Sequence, residues 1–281
     1  MSTTHWHERI AMPTRHGKVP LIAPILEPAT GCTLVHIEQV DTDQFGSFTR
    51  DIARPGSQLD AARAKAQAGL QASGLPLALA SEGAFVQDPF TGLMPWNVEL
   101  IVLIDPRHGS EIVGIAQGPA RCGQGWAKDS LALLQLAVEL GFPEHQLCVR
   151  PDHSEDPRVH KGLASEAALL SAFATALAQS SQGQVFVESD LRAHCNPTRQ
   201  AMIRRAAEDL RHKMLSCCPA CGRPGYAVTR HRPGRLCRAC GAATALTLAR
   251  IWSCGHCQHS EERVELGDVW ASPSHCHRCN P

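Results

Sequence analysis

Apolar and polar positions along the first two-thirds of the chain group into blocks that read as strands and helices in turn. Residues 1–17 are polar and read as a loose lead-in, and residues 19–26 form an apolar run, interrupted by Pro24, that reads as a buried strand. Residues 33–40 give a second strand, and the glycine-containing polar segment 41–50 a loop. Residues 57–72 predict a helix: Ser57 caps it, Leu59, Ala62, Ala66 and Leu70 share one face, and Gly74 ends it. A short apolar strand at 75–80 runs into Ser81-Glu82-Gly83, and residues 98–104 and 111–117 read as a hairpin around the turn at 105–109. Residues 129–140 predict an amphipathic helix closed by Gly141 and Pro143, followed by a strand at 146–150, a helix at 165–178 and a strand at 184–188. This alternation predicts an α/β fold, a three-layer domain with a mixed sheet over residues 1–190. Asn196-Pro197 then opens a helix whose Ile203, Ala206, Leu210 and Met214 lie on one face, so residues 191–215 read as a junction and connecting helix.

Residues 216–281 carry a different signal. Four C-x2-C knuckles follow one another: Cys218/Cys221, Cys237/Cys240, Cys254/Cys257 and Cys276/Cys279. Taken in order, they make two units, C-x2-C-x15-C-x2-C and C-x2-C-x18-C-x2-C, each with the spacing of a four-thiolate Zn2+ site. The segment therefore predicts two C-terminal zinc ribbons, each a closed shell with a structural role. Gly222, Gly241 and Gly255 sit beside or inside the knuckles, where the backbone needs positive φ or close approach. Cys217 precedes Cys218 directly, and spacing does not decide which of the two is the ligand.

Composition narrows the class. The start of the chain is polar and no apolar run approaches the ~20 residues that span a bilayer, so no membrane role is expected. Thirteen cysteines without an export signal predict a reducing cytoplasm where thiolates bind metal. Formal net charge is zero, but from Arg192 to Arg250 twelve Arg or Lys residues face only Glu208 and Asp209. That excess predicts a phosphate-bearing partner, a small molecule or a nucleic acid, even after the anionic zinc-thiolate centres take their share.

Five polar stretches fall at predicted element ends, where α/β proteins place their sites. They are residues 14–18 with Lys18; Asp41 and Asp43 through Arg50 and Arg54; residues 81–83 with Asn97 and Glu99 beyond; His160-Lys161-Gly162; and residues 188–199. Asp41, Asp43, Glu82 and Glu99 are hard oxygen ligands suited to Mg2+ with substrate phosphates. The chain has 22 arginines and five lysines, three of which (Lys18, Lys65 and Lys161) lie in or beside these stretches, as compact charges for phosphate. On an extended strand Glu188, Asp190, Arg192 and His194 would share a face and converge on a substrate with Arg199 nearby. The alternative is a structural junction in which Asp190 pairs with Arg192 and Asn196 caps the next helix. His194 and Cys195 are adjacent and point apart on a strand, which excludes a dyad between them.

With these residues identified, the chain resembles a bacterial family of uncharacterised proteins that carries a domain of unknown function. The likeness rests on Thr14-Arg-His-Gly-Lys18, residues 22–26 and 41–49, Ala80-Ser-Glu-Gly83, Lys161-Gly162, residues 190–199, the knuckles and Cys279-Asn-Pro281. The order of residues 14–18, Ala62-Arg-Ala-Lys65-Ala, residues 80–85 and His160-Lys161-Gly162 also resembles the inosine-triphosphate-pyrophosphatase and Maf group, whose members bind a nucleoside triphosphate with Mg2+. That resemblance implies phosphate or base contacts for Lys18, Lys65, His160 and Lys161, and a metal or base role for Glu82. His16 and Ala61 depart from it, each standing where that group has Asn; Lys18 comes one residue early, and Val159 stands in place of Ser. One carboxylate, Glu82, also stands where that group has a pair.

The expectation is a Mg2+-dependent phosphohydrolase or pyrophosphatase acting on a nucleotide or related phosphate ester, with Glu82, Asp41 and Asp43 catalytic and Lys18, Lys65, His160, Lys161, Asp190, Arg192, His194 and Arg199 binding substrate. The alternative is a non-catalytic zinc-ribbon protein that binds nucleic acid. Convergence of Glu82, Lys18 and Asp190 in one pocket would favour an enzyme; their dispersal would leave only the binding readings.

Overall fold

A computed structural model describes residues 6–45, 56–264 and 270–281. Contacts divide the chain into two compact units, one ending at Arg211 and one beginning at His212. The larger is a mixed α/β unit built on two sheets. The first contains β1 (Arg9–Pro13), β2 (Thr33–Ile37), β3 (Leu77–Gln87), β4 (Pro95–Asp105) and β5 (Ser110–Pro119), in the order β2-β1-β3-β4-β5. β1 runs parallel to both β2 and β3, and β3, β4 and β5 form an antiparallel meander.

Two elements at the start of the chain differ from the sequence expectation. Within the supposed lead-in, residues 9–13 form the buried strand β1, because a short apolar run covered on both sides needs no alternation. Residues 19–26 belong to α1 (Val19–Thr30), a helix and not a strand. An apolar run of this length cannot be assigned by periodicity alone, and Pro20 fits the first helical turn, where a missing N–H costs nothing. Its buried Ile22, Leu26 and Thr30 recur every four residues, and Gly31 ends it with φ 76°.

α2 (Gln58–Ser73) begins at a capping box between Ser57 and Asp60. Its buried Ala62 and Ala66 pack with Ala11, Ala78, Ala80, Leu100 and Val102 on one face of the sheet. Small residues bring helix and sheet close: a Cβ on Gly69 would lie 2.8 Å from Pro13 Cδ. The opposite face receives α5 (Pro197–Leu215), started by Asn196, whose Oδ1 accepts the Arg199 N–H. Since strand side chains alternate, Gly83 and Glu99 point away from α2, toward Arg199 of α5. The first sheet thus lies between α2 and α5. α1 reaches that same second face at its N-terminus, where Lys18 bonds Ser81.

The second sheet contains β6 (Gln124–Ala127), β7 (Leu147–Arg150), β8 (His160–Leu163) and β9 (Val185–Ser189), all antiparallel in the order β6-β9-β7-β8. α3 (Ser130–Leu140) and α4 (Glu166–Gln179) cover one face through Leu133, Ala137, Leu169, Phe173 and Ala176. His160-Lys161-Gly162 is therefore strand β8 itself, and α4 starts later, capped by Ser165.

The unit from His212 onward holds β10 (Ala227–Pro233), β11 (Leu236–Cys237), β12 (Thr247–Ser253), β13 (Ser260–Val264) and β14 (Trp270–Ala271). β10, β12 and β13 form an antiparallel sheet, and β11 pairs with β14 in parallel. Among the described residues no helix is long and apolar enough to cross a membrane.

Gly114 on β5 lets α5 lie directly on the sheet, since a Cβ there would sit 2.4 Å from the Ala206 carbonyl oxygen and 2.5 Å from Leu210 Cβ. Gly114→Ala is therefore expected to lower stability by about 1–3 kcal/mol in chemical denaturation; a change within about 0.5 kcal/mol would refute this packing.

Candidate functional site

Two four-cysteine clusters lie in the smaller unit. Cys218, Cys221, Cys254 and Cys257 form one, and Cys237, Cys240, Cys276 and Cys279 the other, with all four sulfurs of each within 4.8 Å of one another. Sulfur–sulfur separations of 3.7 Å (Cys218–Cys257 and Cys221–Cys254), 3.9 Å (Cys237–Cys279) and 3.6 Å (Cys240–Cys276) match the edge of a tetrahedron. For a Zn–S bond of about 2.3 Å that edge is about 3.8 Å. The donor set and spacing fit two structural Zn2+ ions, with Cys218 as the ligand of the Cys217/Cys218 pair and Cys217 outside the cluster.

The knuckles do not pair in sequence order. The first joins the third and the second joins the fourth. Strand register is the reason: Ala227↔Ser253 in the β10–β12 pair sets the residues before β10 beside those after β12, while Cys237↔Ala271 brings the second knuckle to the fourth. Doubling a loop costs only about 0.6 kcal/mol, less than such pairing returns. All four knuckles close with an N–H to the first cysteine's carbonyl, from Gly222, Gly241, Gln258 and Asn280. Positive φ falls on Gly222, Gly241 and Gln258, and not on Gly255.

A separate cleft opens in the larger unit, lined by Pro13, Thr14, His16, Lys18, Thr42, Asp43, Lys65, Ser81, Glu82 and Arg199. It lies past the C-terminal ends of β1 and β2, where α/β sheets bind ligands. The β1–α1 loop supplies Thr14, His16 and Lys18, and the turn after β2 supplies Thr42 and Asp43. α2 contributes Lys65, β3 contributes Ser81 and Glu82, and α5 contributes Arg199.

Lys18 apart, the charges in and beside this cleft are matched pairwise. Lys65 Nζ lies 2.5 Å from Glu82 Oε2, in a pair with side chains 8% and 2% exposed. Arg199 Nε donates to Glu99 Oε1 at 2.7 Å with both side chains at or below 1% exposure, and Asn97 Nδ2 donates to the same oxygen at 3.1 Å. This pair lies over Gly83, where a Cβ would come within 2.2 Å of Glu99 Oε1. His16 Nε2 lies 3.0 Å from Asp43 Oδ1, and that bond leads the influences holding the Asp43 carboxyl below its ordinary range. The His16 ring also stacks on His194, with centroids 5.4 Å apart. Burial, then Arg192 and His16, lowers the His194 pKa. Lys18 Nζ donates to the Ser81 carbonyl at 3.0 Å and the Ser81 hydroxyl at 3.4 Å. Burial, with Arg199 second, pulls the Lys18 ammonium down to about 7.

Of the residues singled out in the sequence, Lys18, Asp43, Lys65, Glu82 and Arg199 line this one cleft. Asp41 does not; it pairs with Arg15 on the surface at 2.9 Å. Arg50 and Arg54 lie outside the described residues. His160 and Lys161 stand on β8. The extended stretch expected through residues 188–194 is broken by a 3-10 turn at Ala193–Cys195. Glu188 turns to the buried Arg150 at 3.1 Å, and Asp190 binds Arg192 at 2.6 Å and accepts the Gly162 N–H at 3.0 Å. Lys18 and Glu82 thus share a pocket that Asp190 does not line, and the Asp190–Arg192 pair with the Asn196 cap forms the structural junction. Glu99, also expected as a Mg2+ ligand, is engaged by Arg199 and does not line the cleft; Thr14, His16 and Ser81 were visible only as neighbours within polar stretches.

Fold and site together define an α/β protein with a charged cleft and a two-centre cysteine module. The chain belongs to the family described as "Domain of unknown function (DUF6671)", whose model matches residues 65–281, well over half of its length. No curated protein and no solved structure matches it significantly.

Paired substitutions test the interleaved centres. The double variant C221S/C254S is expected to retain about one Zn2+ per chain by elemental analysis, and C221S/C237S to retain almost none; sequential pairing requires the reverse. Lys18→Met tests the buried amine. A folded pKa below the ordinary 10.5 means that the unfolded chain holds more protons between about 7 and 10.5. Wild-type Lys18 therefore destabilises the fold fully below pH 7, and this penalty fades as pH rises. Lys18→Met should raise Tm most at pH 6 and least near pH 10; a pH-independent difference would refute the shift.

Proposed function

We propose that the cleft binds and hydrolyses a phosphate ester of the nucleotide class. The observation that carries this reading is the convergence of Lys18, Lys65 and Arg199 with Glu82 and Asp43 in one cleft at the strand ends. Three cationic groups suit the spread charge of a phosphoryl group. Glu82 and Asp43 are the two carboxylates that would hold Mg2+, which supplies Lewis-acid neutralisation of phosphate charge. His16, held at Nε2 by Asp43, keeps Nδ1 as the basic nitrogen to take a proton from an attacking water. The nucleotide class rests on the likeness to the inosine-triphosphate-pyrophosphatase and Maf group. Three of its four motif positions, residues 14–18, Lys65 and Glu82, meet here, while His160-Lys161 lies on β8.

Nucleic-acid binding through the basic segment draws less support. Three of its arginines are matched by acids outside the segment: Arg192 by Asp190, Arg199 by Glu99 and Arg232 by Glu262. Tyr226 is buried, and Arg263 covers Trp252 with its guanidinium 4.8 Å from the ring centroid, which removes two aromatic faces from base stacking.

The zinc-loaded chain, given Mg2+ and a panel of nucleoside mono-, di- and triphosphates, should release phosphate or pyrophosphate from at least one member. Glu82→Gln should lower that rate on the order of a hundredfold or more. No turnover on any member, with nucleic-acid affinity that falls steeply with salt, would transfer the assignment to the binding reading.

A further inference from the structure

Lys18 differs from the other cationic side chains lining the cleft. Lys65 has Glu82, Arg199 has Glu99 and His16 has Asp43. Among the described residues the Lys18 ammonium has only the neutral carbonyl and hydroxyl of Ser81. It is nevertheless withdrawn from water, at 6% exposure. A buried cation without a counter-ion has two ways out: it gives up its proton, or it acquires an anion.

The surroundings of Lys18 keep both routes open. From α5 and α2, Arg199 and Lys65 repel its charge; from β4 and β3, Glu99 and Glu82 favour it. His16 and Asp43 line the same cleft from the two loops, and His194 stacks behind His16. Each of these carboxylates is already engaged by another cation or ring, so none closes on Lys18.

We infer that Lys18 is the group that receives a tetrahedral dianion, and that the anion enters the cleft together with one proton taken up by the Lys18 amine. This rests on the phosphate-ester reading above and adds a proton to its binding step. No covalent bond forms: the proton comes from buffer and stays on Nζ while the anion is bound. In the free protein the amine titrates near 7, so above that pH it must be recharged for the anion to bind. Affinity then falls by up to about tenfold for each pH unit above the free value.

Inorganic sulfate is a suitable probe because it carries two charges and does not titrate in this range. Calorimetry of the full zinc-loaded chain at pH 8.5, in two buffers of different ionisation enthalpy, gives the protons taken up per sulfate bound. The expected result is about one proton for the wild type, with affinity weaker at pH 9 than at pH 6.5 on the order of tenfold or more. Lys18→Met should bind more weakly, without uptake and without that pH dependence. Sulfate binding with no buffer-dependent heat overturns the proton coupling and leaves the anion cleft standing. Equal uptake in Lys18→Met also overturns it and moves the proton to His16 or His194. No sulfate binding at any pH overturns the coupling and the phosphate reading together. Should Lys18→Met fail to fold, Lys18→Gln takes its place in the same comparison.

Discussion

Charge buried beside a single strand organises the larger unit. β3 presents Glu82 to α2 on one face and Ser81 and Gly83 to α1 and α5 on the other, and each face closes on a buried cation. Removing one member of such a pair costs roughly 3–5 kcal/mol, because its partner keeps a desolvated charge. That is a large share of the 5–15 kcal/mol that holds a typical domain together. The pairs therefore fix where Lys65, Glu82, Glu99 and Arg199 sit as firmly as the apolar core fixes the helices. Gly83 belongs to the same constraint, since the Glu99–Arg199 pair occupies the space of its missing side chain.

The cleft inherits its rigidity from this floor. Its lining comes from the β1–α1 loop, the turn after β2, α2, β3 and α5. Burial that would be costly in a purely structural setting leaves Lys18 short of a counter-ion in the lining of the cleft. Stability conceded at one side chain is a common mark of a functional site.

In the smaller unit two four-cysteine clusters that fit a metal stand where a larger domain has its apolar core. The described apolar cluster there is little more than Cys218, Tyr226 and Cys254 with Trp252 against them. So few side chains cannot hold a fold alone, whereas a structural Zn2+ contributes on the order of 10 kcal/mol or more. Interleaving the knuckles makes each four-cysteine cluster join segments that sequential pairing would leave separate, so metal held there would tie the segments around the β10–β12–β13 sheet to those around the β11–β14 pair.

The local signals in the sequence were strong wherever chemistry is local. Ser57 and Asn196 as caps, Gly74 and Gly141 as helix ends, the β4–β5 hairpin and the eight cysteines all follow from residues a few positions apart. α1 was not legible, because an apolar run with prolines suits a buried strand as well as a buried helix. β3 runs on through Ser81 and Glu82 because partners distant in sequence make those polar side chains buriable. The candidate site was readable as separate polar stretches, of which Lys18, Asp43, Glu82 and Arg199 share the cleft with Lys65; the Glu99–Arg199 pair spans 100 positions and left no local trace. The sequence by itself determined that this chain is an α/β protein ending in two four-cysteine centres, since periodicity, capping and ligand spacing are short-range properties. Which knuckles share an ion, and which charges share a cleft, was decided only by the tertiary structure, because strand register and the cost of leaving a buried charge unmatched act across the whole fold.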